Sequence, residues 1–384
     1  MSQPKSIAYL GPAGTFTEMA ARQLAGEDTA LIPVGSVSEA LDSVLDGNAE
    51  RAVVPIENSL EGGVSATMDA LASTPGVQIF GEYFVPVTFD LMASAGTTLD
   101  SIEVIHTHPV AYAQTRSWLS KNLSKHIHLP STSTAAAAAD LLQSDAADAA
   151  IAATTITKHY KLKVLAKNIG DNKNAQTRFL QIGLAKGAAP KATGKDKTSV
   201  IVELPNDRPG ALLEMLEQFA ARGVNLSRIE SRPVGDRFGR YRFNIDAQGH
   251  IDDQAIAEAL MGLHRFSPNV IFLGSYPRAD KSESVHQGNN ANTAYKSAQD
   301  WLRTTAAKFV NGRNVYQQSL APTVSRGRQR RPYKSLTRAE PAGCHIQLEN
   351  QRNMPSTCIR RRPLANKVSI QIAVICKART HHPQ

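Results

Sequence analysis

Cysteine is scarce in this sequence. Only three occur in 384 residues, Cys344, Cys358 and Cys376, and all lie near the C-terminal end. That excludes a disulfide scaffold. Long apolar runs are missing too: none approaches the ~20 residues that span a bilayer. Residues 1–8 carry no apolar h-region of a signal peptide. A cytoplasmic protein with no membrane partner is therefore expected. The glycine-rich run GPAG at residues 11–14 has no following Gly-Lys-Ser/Thr and no third glycine, so it is neither a P-loop nor a dinucleotide fingerprint. No Ser-His-Asp order with a nucleophile elbow is present. His106 and His108 stand two apart without a third ligand at metal spacing. No metal and no cofactor are expected. What is present is a globular composition, 42% hydrophobic and 20% charged, long enough for two or three domains.

The net charge of +9 is unevenly spread. From Ala279 onward stand 18 of the 43 basic residues but 5 of the 34 acidic ones, leaving 25 basic against 29 acidic before it. The body is thus mildly acidic and offers no broad nucleic-acid footprint. The tail, residues 279–384, is basic, with clusters at Arg326, Arg328, Arg330 and Arg331 and at residues 360–362. One amphipathic helix is expected at 295–308; the tail otherwise has no core-forming period, and disorder is expected for it. Charge alone, with few interleaved aromatics, does not predict nucleic-acid binding.

Residues 6–184 read as alternating strands and helices. Strands are expected at 6–11, 31–34 and 52–56. A helix at 17–25 follows Thr15 and Glu18 spaced as a capping box; Ser36 and Glu39 form a second. A third helix is expected to open at Asn58-Ser59 and run to about residue 73. This order argues an α/β domain with a largely parallel sheet. Residues 77–93 look like a crossing between lobes. Beyond it come a strand at 102–106, a helix at 110–119, a strand at 127–129, an alanine-rich helix after Ser133 and Thr134, short strands near 149–153 and 164–166, and a last strand at 177–183. Residues 187–197 are a linker by composition. Residues 198–278 then follow the order β-α-β-β-α-β, the ferredoxin-like split unit.

Helix starts are the natural anion sites of such a fold, because their N–H groups are free and the helix dipole is positive there. Three starts carry hydroxyls or amides: Thr15/Thr17, Asn58/Ser59 and Ser133/Thr134. Each alone is an ordinary N-cap. Gathered in one cleft, they suit a small molecule with more than one carboxylate.

The runs YLGPAGTFT at 9–17, VPIENSLEGG at 54–63, STAAA at 133–137 and TRF at 177–179 resemble the motif series of the prephenate dehydratases. GAL at 210–212 and ESRP at 230–233 resemble the paired motifs of the phenylalanine-binding ACT domain that follows them. The resemblance covers about residues 5–278, starts at the dehydratase strand without a fused chorismate mutase domain, and does not reach the tail. It implies a bilobal, periplasmic-binding-protein-like catalytic domain over residues 5–186 with the site between its lobes, the linker 187–197, and an ACT domain over 198–278. The implied reaction converts prephenate to phenylpyruvate, water and carbon dioxide, a committed step toward phenylalanine.

The resemblance also assigns roles. Thr177 is the catalytic threonine, donating to the leaving hydroxyl. Asn58, Ser59, Ser133 and Thr134 hold substrate oxygens. Arg178 binds a carboxylate, or points to solvent, or pairs with Glu57. Phe179 shields the reacting ring or belongs to the core. Thr15 and Phe16 line the cleft, though Thr15 also suits a plain cap. Glu57 orients Arg178 or a helix start. In the second domain Pro209, Gly210, Ala211, Leu212 and Leu213 form an apolar seat. Asn225, Glu230, Ser231, Arg232 and Pro233 hold the head group of phenylalanine across a subunit interface, so a homodimer or homotetramer is expected. Two other readings share these residues: the same chemistry on arogenate, and a non-catalytic amino-acid sensor.

Overall fold

The computed structural model describes residues 4–186, 190–205, 208–235, 239–283 and 288–318. Strand β1 (Ser6–Leu10) lies parallel to β2 (Ala30–Val34) and β3 (Arg51–Asn58), with helices α1 (Phe16–Leu24) and α2 (Val37–Leu45) as the crossovers. Thr15 and Ser36 cap these helices, each accepting from the N–H three residues on. Ala40, Leu41 and Val44 form the buried stripe of α2, at the spacing of one helical face. A two-residue strand β4 (Gly62–Gly63) folds back on β3, and α3 (Ser65–Ser73) leads to β5 (Val77–Pro86).

The chain then crosses to a second lobe. There it forms β6 (Asp90–Ala93), β7 (Val104–Thr107), α4 (Pro109–Ala113), α5 (Arg116–Asn122), β8 (Ile127–Pro130), α6 (Thr134–Asp140), β9 (Ala149–Ala152) and β10 (Lys163–Ala166). Their sheet has the order β10-β6-β9-β7-β8. Strand β11 (Gln176–Leu184) returns to the first sheet and inserts between β3 and β5, giving β2-β1-β3-β11-β5 with β4 beside β3. The outgoing and returning crossings pair with each other: Val87 N–H donates to Ala175 O (2.8 Å) and Ile169 N–H to Phe89 O (2.7 Å).

The third sheet is antiparallel. Its elements are β12 (Asp196–Glu203), α7 (Ala211–Ala220), β13 (Leu226–Pro233), β14 (Tyr241–Gln248), α8 (Gln254–Phe266) and β15 (Val270–Pro277), with strand order β13-β14-β12-β15. Helices α7 and α8 cover one face, packing Met215, Phe219, Ile256 and Leu263 on Val200, Val202, Phe243 and Ile245. The other face rests on the first sheet, where Ile201, Leu273 and Tyr276 join Leu41, Ile79, Leu180 and Ile182 in one core.

Three expectations need correction. The helix expected over 110–119 is two short helices, broken where the Thr115 hydroxyl donates to Ala111 O (2.9 Å) and competes with the helix ladder. The helix expected from Asn58 begins only at Ser65, because β3 runs on through Asn58 and the chain turns back through β4. The amphipathic helix expected over 295–308 is longer: α9 (Asn292–Gln318) extends past it at both ends. Asn292 anchors its start, accepting from Gln254 N–H (2.9 Å) and donating to Asp253 (3.0 Å), while Tyr295 packs on the third core. The three cysteines and both arginine clusters lie outside the described residues. Among those described, no helix is long and apolar enough to cross a membrane.

Candidate active site

Thr177 sits at the start of β11, between β3 and β5, in register with Asn58. Asn58 Nδ2 donates to Thr177 Oγ1 (3.1 Å). The other end of the same amide accepts from Leu60 N–H (2.9 Å), which fixes which end faces the threonine. Thr177 Oγ1 is thus an acceptor toward Asn58, and among the described residues no acceptor takes its own proton. Ser59 continues the ladder: its N–H donates to Gln176 O (2.9 Å) and its hydroxyl accepts from Gln176 N–H (3.0 Å).

Thr177 and Asn58 open onto a cavity of about 250 Å³ between the lobes. Its other walls are Phe16, Val87, Phe89, His108, Val110, Ala111, Gln114, Thr132, Ser133 and Thr134. Phe16 and Phe89 meet edge to face, 5.7 Å between centroids. Ser133 caps α6 through Ala136 N–H (2.9 Å), so the partial positive charge of that helix start belongs to the wall. No lining residue is Lys, Arg, Asp or Glu. An adjoining cavity of about 610 Å³ shares Thr132 and Ser133 and adds Gly11, Thr15, Thr17 and Pro33. The lobes also touch at two polar pairs, Gln114 Nε2 to Glu61 Oε1 (3.4 Å) and His159 Nε2 to Glu18 Oε2 (3.1 Å). Burial pushes the Glu18 carboxyl up, but Gly14 N–H, Arg22 and His159 together hold it below its usual range.

The structure therefore brings together Thr177, Asn58, Phe16, Ser133 and Thr134, and places Thr15 in the neighbouring cavity. It does not bring in the others. Arg178 is a correction: strand alternation turns it to the opposite face of the sheet, where its guanidinium is spent on Glu82 (2.6 Å), Asp246 (2.6 Å) and the Tyr276 hydroxyl (3.0 Å). It is not a carboxylate ligand of the cavity. Glu57 faces it at 3.5 Å. Phe179 is wholly buried with Tyr9, Val53 and Val85. Asn58 and Ser59 do not begin a helix; Asn58 makes a turn with its own backbone two residues on. Val87, Phe89, His108, Gln114 and Thr132 were not anticipated. The signal for His108 was Pro109 in the first helical position, which marks His108 as a cap; its Nδ1 accepts from Val110 N–H (3.2 Å).

The expected effector residues are divided by strand alternation. Pro209, Gly210, Leu212, Leu213, Asn225, Ser231 and Pro233 are exposed, and Ala211 is buried in the helix core. Gly210 holds φ +87°, with open space where a side chain would stand. Glu230 and Arg232 point the other way, toward the first sheet: Arg232 pairs with Asp69 of α3 (2.7 Å), and a side chain at Gly63 would collide with the Glu230 carboxylate. They are thus committed within the chain and not offered at the open edge beside Ser231.

Residues 7–187 match the family model for prephenate dehydratase, and residues 198–265 that for the ACT domain. A prephenate dehydratase of Corynebacterium glutamicum is 39% identical over 79% of this chain and 97% of its own length. The solved prephenate dehydratase of Arthrobacter aurescens, in complex with L-Phe, is 49% identical with a TM-score of 0.75, over 79% of this chain and 99% of that one. GqqA, described as a novel type of quorum quenching acylase, is 31% identical with a TM-score of 0.63, over 71% of this chain and 97% of that one. A cleft built on a threonine-asparagine pair, two lobes joined by paired crossings and a βαββαβ unit behind them thus accompany a likeness that runs nearly end to end through these relatives, and the chain belongs to the prephenate dehydratase family.

Proposed function

We propose that this chain is a carbon–oxygen lyase that converts prephenate to phenylpyruvate, with residues 5–186 as the catalytic part, 187–197 as the linker and 198–278 as the regulatory part. Prephenate carries two carboxylates. The reaction breaks the ring C–O bond and the bond to the ring carboxylate; the electron pair of the latter enters the ring, which becomes aromatic. The leaving hydroxide takes up one proton, giving water, carbon dioxide and the phenylpyruvate monoanion.

The observation that carries the reading is the direction of the Asn58–Thr177 hydrogen bond. Because Asn58 donates into Thr177 Oγ1, the threonine proton is directed elsewhere, toward the cavity, where it can bond the departing hydroxyl. The absence of Lys, Arg, Asp and Glu from the wall fits the second bond broken. A lysine or arginine clamp would stabilise the ring carboxylate in the ground state, whereas a wall without one favours dispersal of its charge as carbon dioxide forms. Ser133, Thr134 and the start of α6 hold the side-chain carboxylate, and Phe16 with Phe89 flanks the ring.

Phenylalanine binds the second domain at α7 and the exposed face of β13, between two subunits, and lowers activity. The likeness to the A. aurescens protein with L-Phe supports this. An acylase reading, prompted by GqqA, is less well supported: Thr177 would need a proton acceptor bonded to it to act as a nucleophile, and among the described residues its hydrogen-bond partner, Asn58, is a donor. Turnover of prephenate and of arogenate, each with and without phenylalanine, tyrosine and tryptophan, tests the proposal. Binding of these molecules without turnover would leave a sensor in place of an enzyme.

A further inference from the structure

Asp246, on β14, is wholly buried and accepts three hydrogen bonds: from Arg178 Nη1 (2.6 Å), Arg228 Nε (3.0 Å) and Ser199 Oγ (2.6 Å). Arg178 follows Thr177 in the chain. Its two remaining guanidinium nitrogens are tied to Glu82 of β5 and to Tyr276 of β15, and Lys197 of β12 also bonds Glu82 (2.9 Å). Three cations and two buried carboxylates therefore lie between the first and third sheets. Apolar side chains in such a place stabilise a fold as well or better, so stability alone does not account for the cluster.

Its geometry does suggest a use. Arg228 stands on β13, whose opposite face carries Ser231 and Pro233. Arg228 Nη1 also approaches Glu230 (3.4 Å) and the sulfur of Met68 in α3 (3.5 Å). The strand of the proposed effector site thus reaches the catalytic strand by a single carboxylate, through Arg228, Asp246 and Arg178. A fork-shaped guanidinium tolerates little displacement of its partner, so a shift of β13 is passed on as a change of hydrogen-bond geometry.

We propose that Asp246 is the coupling residue between the effector-binding strand and Thr177: it transmits effector binding to the catalytic pair and touches neither effector nor substrate. This rests on the reading that phenylalanine binds the third sheet and that prephenate is turned over. The effector biases the arrangement of Arg228 on Asp246, and Arg178 carries that bias to the start of β11, where Thr177 and Asn58 meet. By linkage, a molecule in the cavity alters phenylalanine affinity by the same factor.

The test uses the full chain and two variants. Asp246→Asn removes the charge at nearly constant shape, and Arg228→Lys keeps the charge but loses the fork. Phenylalanine binding is measured by calorimetry, and prephenate turnover with and without saturating phenylalanine by product absorbance. In each folded variant the phenylalanine Kd is expected to stay within about threefold of that of the unaltered chain, while inhibition at saturation falls to about twofold or less. A variant that binds phenylalanine and is inhibited as fully as the unaltered chain overturns the proposal. If Asp246→Asn does not fold, Arg228→Lys decides by the same two outcomes. Absence of phenylalanine binding in the unaltered chain, by contrast, would overturn the proposed regulation and the coupling with it.

Discussion

Thr177 and Asn58 face each other across two paired strands, and the amide donates to the hydroxyl at 3.1 Å, not the reverse. The first prediction follows from that direction. Thr177→Val keeps the branched shape suited to a strand and removes only the oxygen. Steady-state kinetics on prephenate should show kcat lower by ~10²–10⁴ with KM little changed, since the lost hydrogen bond is made to the leaving hydroxyl in the transition state. Wild-type kcat in this variant would remove Thr177 from the mechanism.

Arg178 separates two roles by measurement. As the partner of buried Glu82 and Asp246, its loss takes one cation from each carboxylate and leaves Glu82 to Lys197 and Asp246 to Arg228. Arg178→Leu should then destabilise the protein by about 3–5 kcal/mol, read by urea denaturation. A substrate ligand would behave differently, raising KM while stability held. Unchanged stability in Arg178→Leu would contradict the placement described above.

Acid sensitivity follows from the same cluster. Burial pushes the Asp246 carboxyl up, but Arg178, Arg228 and Lys197 hold it well below the ordinary carboxylate range. In the window below about pH 4 the unfolded chain binds a proton there that the folded one does not. The stabilisation is therefore complete above that range and is lost as the pH falls through it. Thermal melts from pH 7 to pH 3 should show Tm falling toward the acid end, and Asp246→Asn should melt lower at pH 7 with a flatter acid slope. An equal slope in both would show that other groups control the acid transition.

The tail gives the fourth prediction. Helix α9 is anchored by Asn292 and Tyr295, whereas Trp301, Leu302 and Phe309 are exposed. A chain ending at Lys308 keeps that anchor and should retain kcat and Tm. Loss of either would mean that residues beyond 308 support the body.

Much of this was legible in the sequence because it is local. The caps at Thr15, Ser36 and Ser133 and the stripe of α2 are set by neighbours three or four residues away, and they appear where periodicity puts them. What was not legible depends on pairing between distant segments. Asn58-Ser59-Leu60-Glu61 has the look of a helix start, yet β11 extends β3 through Asn58 from more than a hundred residues away. Arg178 looks like an anion ligand beside a catalytic threonine. Only the sheet's two faces, one turned to the cleft and one to the third sheet, decide that it serves the latter. Glu230 and Arg232 face away from Ser231 for the same reason, since adjacent residues of a strand face opposite ways.

The pairing of the two crossings, Val87 with Ala175 and Phe89 with Ile169, has a mechanical consequence. A hydrogen-bonded ribbon bends more readily than it stretches, so any swing of the second lobe would pivot on it. Rotation about it would part Gln114 from Glu61 and His159 from Glu18 and would leave every sheet whole. Glu18 keeps Gly14 N–H and Arg22 when His159 departs, so no carboxylate is stranded. Contacts of these kinds are worth roughly 1 kcal/mol each. Parting the lobes in this way would cost only those few contacts and would require no melting of either lobe.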